Sequence, residues 1–205
     1  MKQQFYLFDT KGYLTTFAVS PDFFDFAVEN GLYGEDSGRK IHTQLLFREY
    51  KGKNCYPPFV HFPVIFRHLN GKKLRDMLEM RLAIPCVLIS DRMKSCLEEN
   101  SISGWSSFPV RIFDKIGNEI TGYHGFSITG KGGKIIELNH PEEDQSYYSN
   151  PKYNLWDVRS WDGSDFFRIK PSLVGVTPKV KNVLTANKIE SPVFTPFEKM
   201  FTLKD

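Results

Sequence analysis

Cysteine is scarce in this chain. The three present, Cys55, Cys86 and Cys96, are odd in number and not closely paired, which excludes a disulfide framework or a zinc knuckle as the source of stability and suits a reducing compartment. Long apolar runs are absent as well. Stretches such as Phe62-Pro63-Val64-Ile65-Phe66 fall far below the ~20 residues that span a bilayer. The opening Met1 to Phe8 runs straight into Asp9 without an apolar h-region, so no export route is expected, and the protein is expected to be soluble and cytoplasmic.

Familiar catalytic and metal-binding patterns are missing too. Gly130-Lys131-Gly132-Gly133-Lys134 resembles a phosphate cradle only in its glycines, because a P-loop needs Ser or Thr after the lysine and here Ile135 follows. A hairpin turn between residues 126–129 and 134–138 accounts for those glycines. The five histidines, His42, His61, His68, His124 and His140, form no His-Glu-x-x-His and no zinc spacing with cysteine. No Gly-x-Ser-x-Gly elbow occurs. The expectation is a protein that is not an enzyme and takes no metal and no cofactor, with Cys96 packed on an apolar helix face rather than reactive.

What the chain has is apolar bulk and uneven charge. Hydrophobic residues make up 40% of its 205 positions and phenylalanine alone supplies 18, enough to build a core unaided. The net charge is only +3. Between Arg39 and Arg81, however, ten basic residues face Glu49, Asp76 and Glu79, a local balance of +7, and between Glu142 and Asp165 six acids face Lys152 and Arg159, a balance of −4. Such asymmetry steers partners.

Residues 5–8 and 13–19 read as strands of an opening hairpin around Gly12. Ser20 and Pro21 then suit the N-cap and first turn of a helix ending at Gly31. Leu45-Leu46-Phe47 reads as a strand. Pro57, Pro58 and Pro63 confine residues 59–66 to an edge strand or extended segment, and Leu74, Met77 and Leu78 predict a short helix over 72–80. After these come a strand at Cys86 to Ile89, a helix capped by Ser90 and stopped at Asn100, and strands over 108–113, 120–129 and 134–138 in a meander.

Shifted by 87 residues, the strand-helix unit returns: Ile89 to Leu97 lies over Val176 to Leu184, Asn100 over Asn187, Ile102 over Ile189 and Pro109 over Pro196, without a gap. Each copy has a Ser or Thr N-cap, apolar residues at i, i+3 and i+4, and an Asn stop, with Pro178 at the first helical position of the second. The separation exceeds the ~20–50 residues of solenoid repeats. The expected architecture is therefore a single α+β domain over 1–205 with mixed or antiparallel sheets, short helices and two related strand-helix units in a pseudo-duplicated fold, allowing an N-terminal lobe at 1–82 beside the repeat-containing part at 83–205.

Asp165-Phe166-Phe167-Arg168-Ile169-Lys170, followed by Val176 to Leu184 and Ile189, resembles the C-terminal signature of a family of bacterial polymorphic-toxin immunity proteins. In that family a Phe-Arg-hydrophobic strand precedes a V-S-E-R-hydrophobic-K-x-x-L helix and a G-hydrophobic-x-F exit. Leu88 to Lys94 and Gly104-Trp105-Ser106-Ser107-Phe108 are similar to the last two. The resemblance covers residues 84 to 197. Pro178 stands where the family has an acid, Ser191-Pro192 replaces the Gly exit, and the basic insert after Gly34 has no counterpart. The resemblance implies a small cytoplasmic protein that neutralises a cognate toxin by binding it, and it transfers no binding residue.

Tyr147, Tyr148, Trp156, Asp157, Trp161 and Asp162 are the candidate partner-binding residues, since aromatics interleaved with acids supply anchors and steering charge. The alternative is that the two tryptophans plug the space between the repeat halves. A second role, nucleic-acid binding through the basic 39–81 region with Arg39, Lys40, Arg48, Lys51 and Lys53, would instead follow a phosphate backbone.

Overall fold

In a computed structural model of the chain, residues 4–11, 15–23, 44–80, 83–138, 150–170 and 173–204 are described. The strands are β1 (Tyr6–Thr10), β2 (Ala18–Pro21), β3 (Glu49–Tyr50), β4 (Lys53–Asn54), β5 (Val64–Asn70), β6 (Met77–Met80), β7 (Ala83–Ser90), β8 (Trp105–Phe108) and β9 (Val110–Phe113). They continue with β10 (Glu119–Ile120), β11 (Tyr123–Ile128), β12 (Lys134–Glu137), β13 (Asn154–Asp157), β14 (Phe166–Lys170), β15 (Leu173–Val176), β16 (Pro192–Pro196) and β17 (Thr202–Lys204). Two nine-residue helices, α1 (Asp91–Glu99) and α2 (Pro178–Ala186), complete these elements. Among the described residues no helix is long and apolar enough to cross a membrane.

Three sheets and a hairpin make an α+β fold of mixed and antiparallel pairing. The large sheet runs β10-β9-β5-β2-β6-β7-β11-β8, a second β14-β15-β1-β16, a third β12-β13-β17, and β3 pairs with β4. Only Pro109 separates β8 from β9, yet they belong to opposite ends of the large sheet order. The sheet therefore curls until its ends meet.

Alternation along the strands divides the apolar residues between two cores. Tyr6 and Phe8 of β1 and Phe166 of β14 enter the main core with Phe66, Met77 and Phe126. Their neighbours Phe5, Leu7 and Phe167 enter a second core with Trp156, Phe197 and Phe201. Both faces of β1 and β14 are thus covered, which is why the period-2 polar pattern is missing from them.

Several expectations are corrected. β1 and β2 do not form a hairpin; β1 pairs with β15 and β16, and β2 with β5 and β6. Ser20 and Pro21 extend β2, so helical conformation begins at Phe23 rather than at Pro21; residues 24–43, with the expected end of that helix, lie outside the described ones. Leu45 to Phe47 form a helical turn, not a strand. β5 is interior, bonded to β2 and β9, and the prolines precede it, with a cis Phe62-Pro63 bond. The predicted helix at 72–80 is replaced by β6. Residues 108–113 split at Pro109 into β8 and β9, and β11 and β12 belong to different sheets, so the meander is absent. The boundary suggested at 82 falls between β6 and β7, which pair directly.

The duplication extends beyond the repeat read from the sequence. Ser90 and Thr177 hold N-cap angles of −70°, 161° and −75°, 163°, and the Asn100 and Asn187 side chains donate to Cys96 O and Val183 O at 2.8 and 2.9 Å. Ser101 and Lys188 turn through φ of 49° and 51°, and Gly104 and Ser191 through 82° and 83°. The pairing order β6-β7-β11-β8 is repeated by β14-β15-β1-β16, with Gly125 between Leu88 and Phe108 as Leu7 lies between Gly175 and Thr195. The middle strand of the first unit follows it in the chain. That of the second comes from the N-terminal strand.

A pair of reciprocal aspartate latches joins the units. Asp76 accepts Ser90 Oγ at 2.7 Å from its own unit's N-cap and Glu190 N at 2.7 Å from the far side of α2. Asp165 accepts Thr177 Oγ at 2.8 Å and Ser103 N at 3.0 Å from beyond α1. The helix N-termini cross over as well: Arg92 donates to Lys188 O at 2.7 Å and Lys179 to Ser101 O at 2.8 Å. Ser90 also caps α1 by accepting from Met93 N, whereas Thr177 makes no side-chain cap and spends its hydroxyl on the latch.

Candidate binding cleft

The β3–β4 hairpin turns through Lys51 and Gly52, both at positive φ (48° and 74°), the backbone that a two-residue hairpin turn requires. It overhangs the segment 129–132 and the middle of β14, enclosing a cleft of about 410 Å³. Phe47, Glu49, Lys53, Lys131, Arg168 and Ile169 are among its walls.

The glycine-rich floor is not the hairpin turn expected from its composition. Gly130 and Gly132 run beside β14, where Arg168 N donates to Gly130 O at 3.0 Å and Gly132 N to Arg168 O at 2.8 Å. A Cβ on Gly130 would stand 2.1 Å from Phe166 O, and one on Gly132 would stand 2.2 Å from Arg168 O. Glycine is needed because a second backbone lies against the first.

Positive charge dominates the walls. The Arg168 guanidinium lies over the Phe47 ring at 4.7 Å and is ion-paired with Glu49; burial pushes its pKa below the usual guanidinium range. Lys53 and Lys131 are exposed, and among the described residues neither has an ion-pair partner. Three cations against one carboxylate leave an excess of +2 in the cleft.

The acidic aromatic segment is placed differently from the expectation. Trp156 is fully buried, stacked on Phe167 at 5.5 Å with Phe5 edge-on at 4.8 Å. It packs the second core and presents no face to a partner. Trp161 is half-buried against Phe5 and Phe167, its indole N–H donating to Ser164 O at 3.1 Å. Asp157 holds Arg159 at 2.8 Å. Asp162 accepts from Lys131 N at 2.8 Å and Ser164 N at 3.0 Å; burial would raise its pKa, but these bonds hold it below the usual carboxylate range. Both acids serve the fold. Tyr147 and Tyr148 lie outside the described residues.

The basic region is dispersed. Arg67 pairs with Asp22 and Arg75 with Glu190, while Arg48 and Lys51 lie over the Tyr56 and Tyr50 rings. Arg39 and Lys40, like His42 and His140, are outside the described residues. His68 stacks on Phe17 at 4.0 Å and His124 bonds Asp91 at 2.6 Å. Cys96 is buried on α1, as expected, and burial raises its thiol pKa. Among the described residues no cluster of metal-ligating side chains occurs.

Nothing in the sequence marks Arg168 and Lys131 as members of one cleft. Arg168 was visible as a strand residue and Lys131 as part of a turn, and only the third dimension brings them beside Lys53. The chain matches no protein-family model and no curated protein.

Proposed function

We propose that this chain is a binding protein that neutralises a cognate bacterial toxin by direct contact in the cytoplasm. The observation that carries this reading is the duplicated unit. The segments on which the resemblance rests, Leu88 to Phe108 and Phe166 to Ile189, form matching strands, helices and left-handed turns. Cross-tied units of this kind offer a preorganised surface, on which docking costs little ordering.

The test is co-expression with the toxic domain encoded beside this protein. Growth should be restored, and the two chains should co-elute as a complex in size-exclusion chromatography. Continued toxicity without a complex overturns the reading.

A further inference from the structure

We infer that the cleft beneath the β3–β4 hairpin receives an acidic segment of the partner protein, with Lys53, Lys131 and Arg168 facing its carboxylates. This rests on the binding-protein reading and reverses the charge of partner that the acidic aromatic segment suggests. The two candidate acids of that segment are already satisfied within the fold: Asp157 by Arg159, and Asp162 by Lys131 N and Ser164 N. The charge left over on this face is positive.

The chemistry favours carboxylates on a peptide over a nucleic-acid backbone. Phosphate tracking needs a run of cations along a groove and aromatic faces on which bases stack. Here the excess is +2 within about 410 Å³, and the neighbouring rings are occupied, Phe47 by Arg168, Tyr50 by Lys51 and Tyr56 by Arg48. Two or three acidic side chains match that charge and volume. Glu49 already holds one face of Arg168, showing that the guanidinium accepts a carboxylate in this setting. The preformed pair also keeps Arg168 aligned before a partner arrives, while Lys53 and Lys131 supply the free attraction.

The experiment titrates the intact protein with a hexaglutamate peptide and, separately, with a hexathymidylate oligonucleotide at low salt, by calorimetry. Hexaglutamate should bind, and Lys53→Glu with Lys131→Glu should weaken it about tenfold or more, since each reversal replaces an attraction by a repulsion. Lys53→Gln with Lys131→Gln should give an intermediate loss. Both lysines are exposed, so the thermal midpoint should hold in every variant. No hexaglutamate binding, binding indifferent to the reversals, or tighter binding of the oligonucleotide would each overturn the proposal. Titration of the toxin separates the two claims. A toxin complex unaffected by the charge reversals sinks the cleft alone, whereas cleft-dependent hexaglutamate binding without any toxin complex sinks the neutralising role and leaves an acid-binding site.

Discussion

Gly104 and Ser191 stand at equivalent places in the two units and share a left-handed φ of 82° and 83°, but only one has the side chain suited to it. A non-glycine residue there costs about 1–2 kcal/mol, partly offset by the ~0.5–1 kcal/mol of chain entropy that glycine loses on folding. The Ser191 hydroxyl is also buried without a hydrogen-bond partner. Ser191→Gly should therefore stabilise the protein by up to about 1 kcal/mol. Gly104→Ser should destabilise it by about 2 kcal/mol or more, because its Cβ would stand 2.0 Å from Phe166 O. Urea unfolding of the two variants tests the pair. Opposite signs are expected, and equal signs would mean that the units are less alike than their angles indicate.

At the scale of elements, the latches make helix docking sensitive to acid. Burial would raise the pKa values of Asp76 and Asp165, but bonds from Arg92, Glu190 N and Ser90 to the first, and from Ser103 and Thr177 to the second, hold both carboxyls below the ordinary aspartate range. A carboxyl depressed in the folded state contributes stability above its unfolded pKa of about 3.9 and loses it as pH falls through the folded value. Acid unfolding should therefore begin below about pH 4. Asp76→Asn and Asp165→Asn should each cost about 2 kcal/mol at neutral pH, and should flatten the acid limb when stability is measured from pH 2 to 7. Together they should cost less than the sum, since opening either latch frees both helix junctions.

The helices were legible because their determinants are local: Ser90 and Thr177 ahead, Asn100 and Asn187 behind, and apolar residues at helical spacing between. The strand β6 was not. Leu74, Met77 and Leu78 fit a helical stripe, but Met77 and Leu78 are adjacent and both buried, as happens when neighbours on both edges place a strand inside a covered sheet. Leu45 to Phe47 failed for the same reason, a short apolar run that suits either state. Trp156 takes the core alternative, because an irregular aromatic spacing can serve a core assembled from two sheets and the turns between them. The cleft has no contiguous signal at all, its walls coming from residues 47–54, 128–132 and 168–169.

Across the whole molecule, the two units differ in how far apart their parts lie in the chain. Phe126 of β11 and Phe8 of β1 are equivalent, each packing edge-on against Phe166 at 5.4 and 5.2 Å. β11 pairs with strands less than 45 residues away, whereas Tyr6 pairs with Val176, 170 residues on. Contacts of long separation carry a larger loop-closure cost and tend to form late. Phe126→Leu should mainly slow folding and Phe8→Leu mainly speed unfolding, with φ-values above and below about 0.4 in stopped-flow experiments. Equal φ-values would mean that the units form together.

The position of β1 has a cost during synthesis. At about 5–20 residues per second, the wait for both neighbours lasts roughly ten to forty seconds, and for most of it Phe5-Tyr6-Leu7-Phe8 has both strand edges bare. A nascent chain carrying so adhesive a segment should be a client for a holding chaperone until translation has passed Pro196.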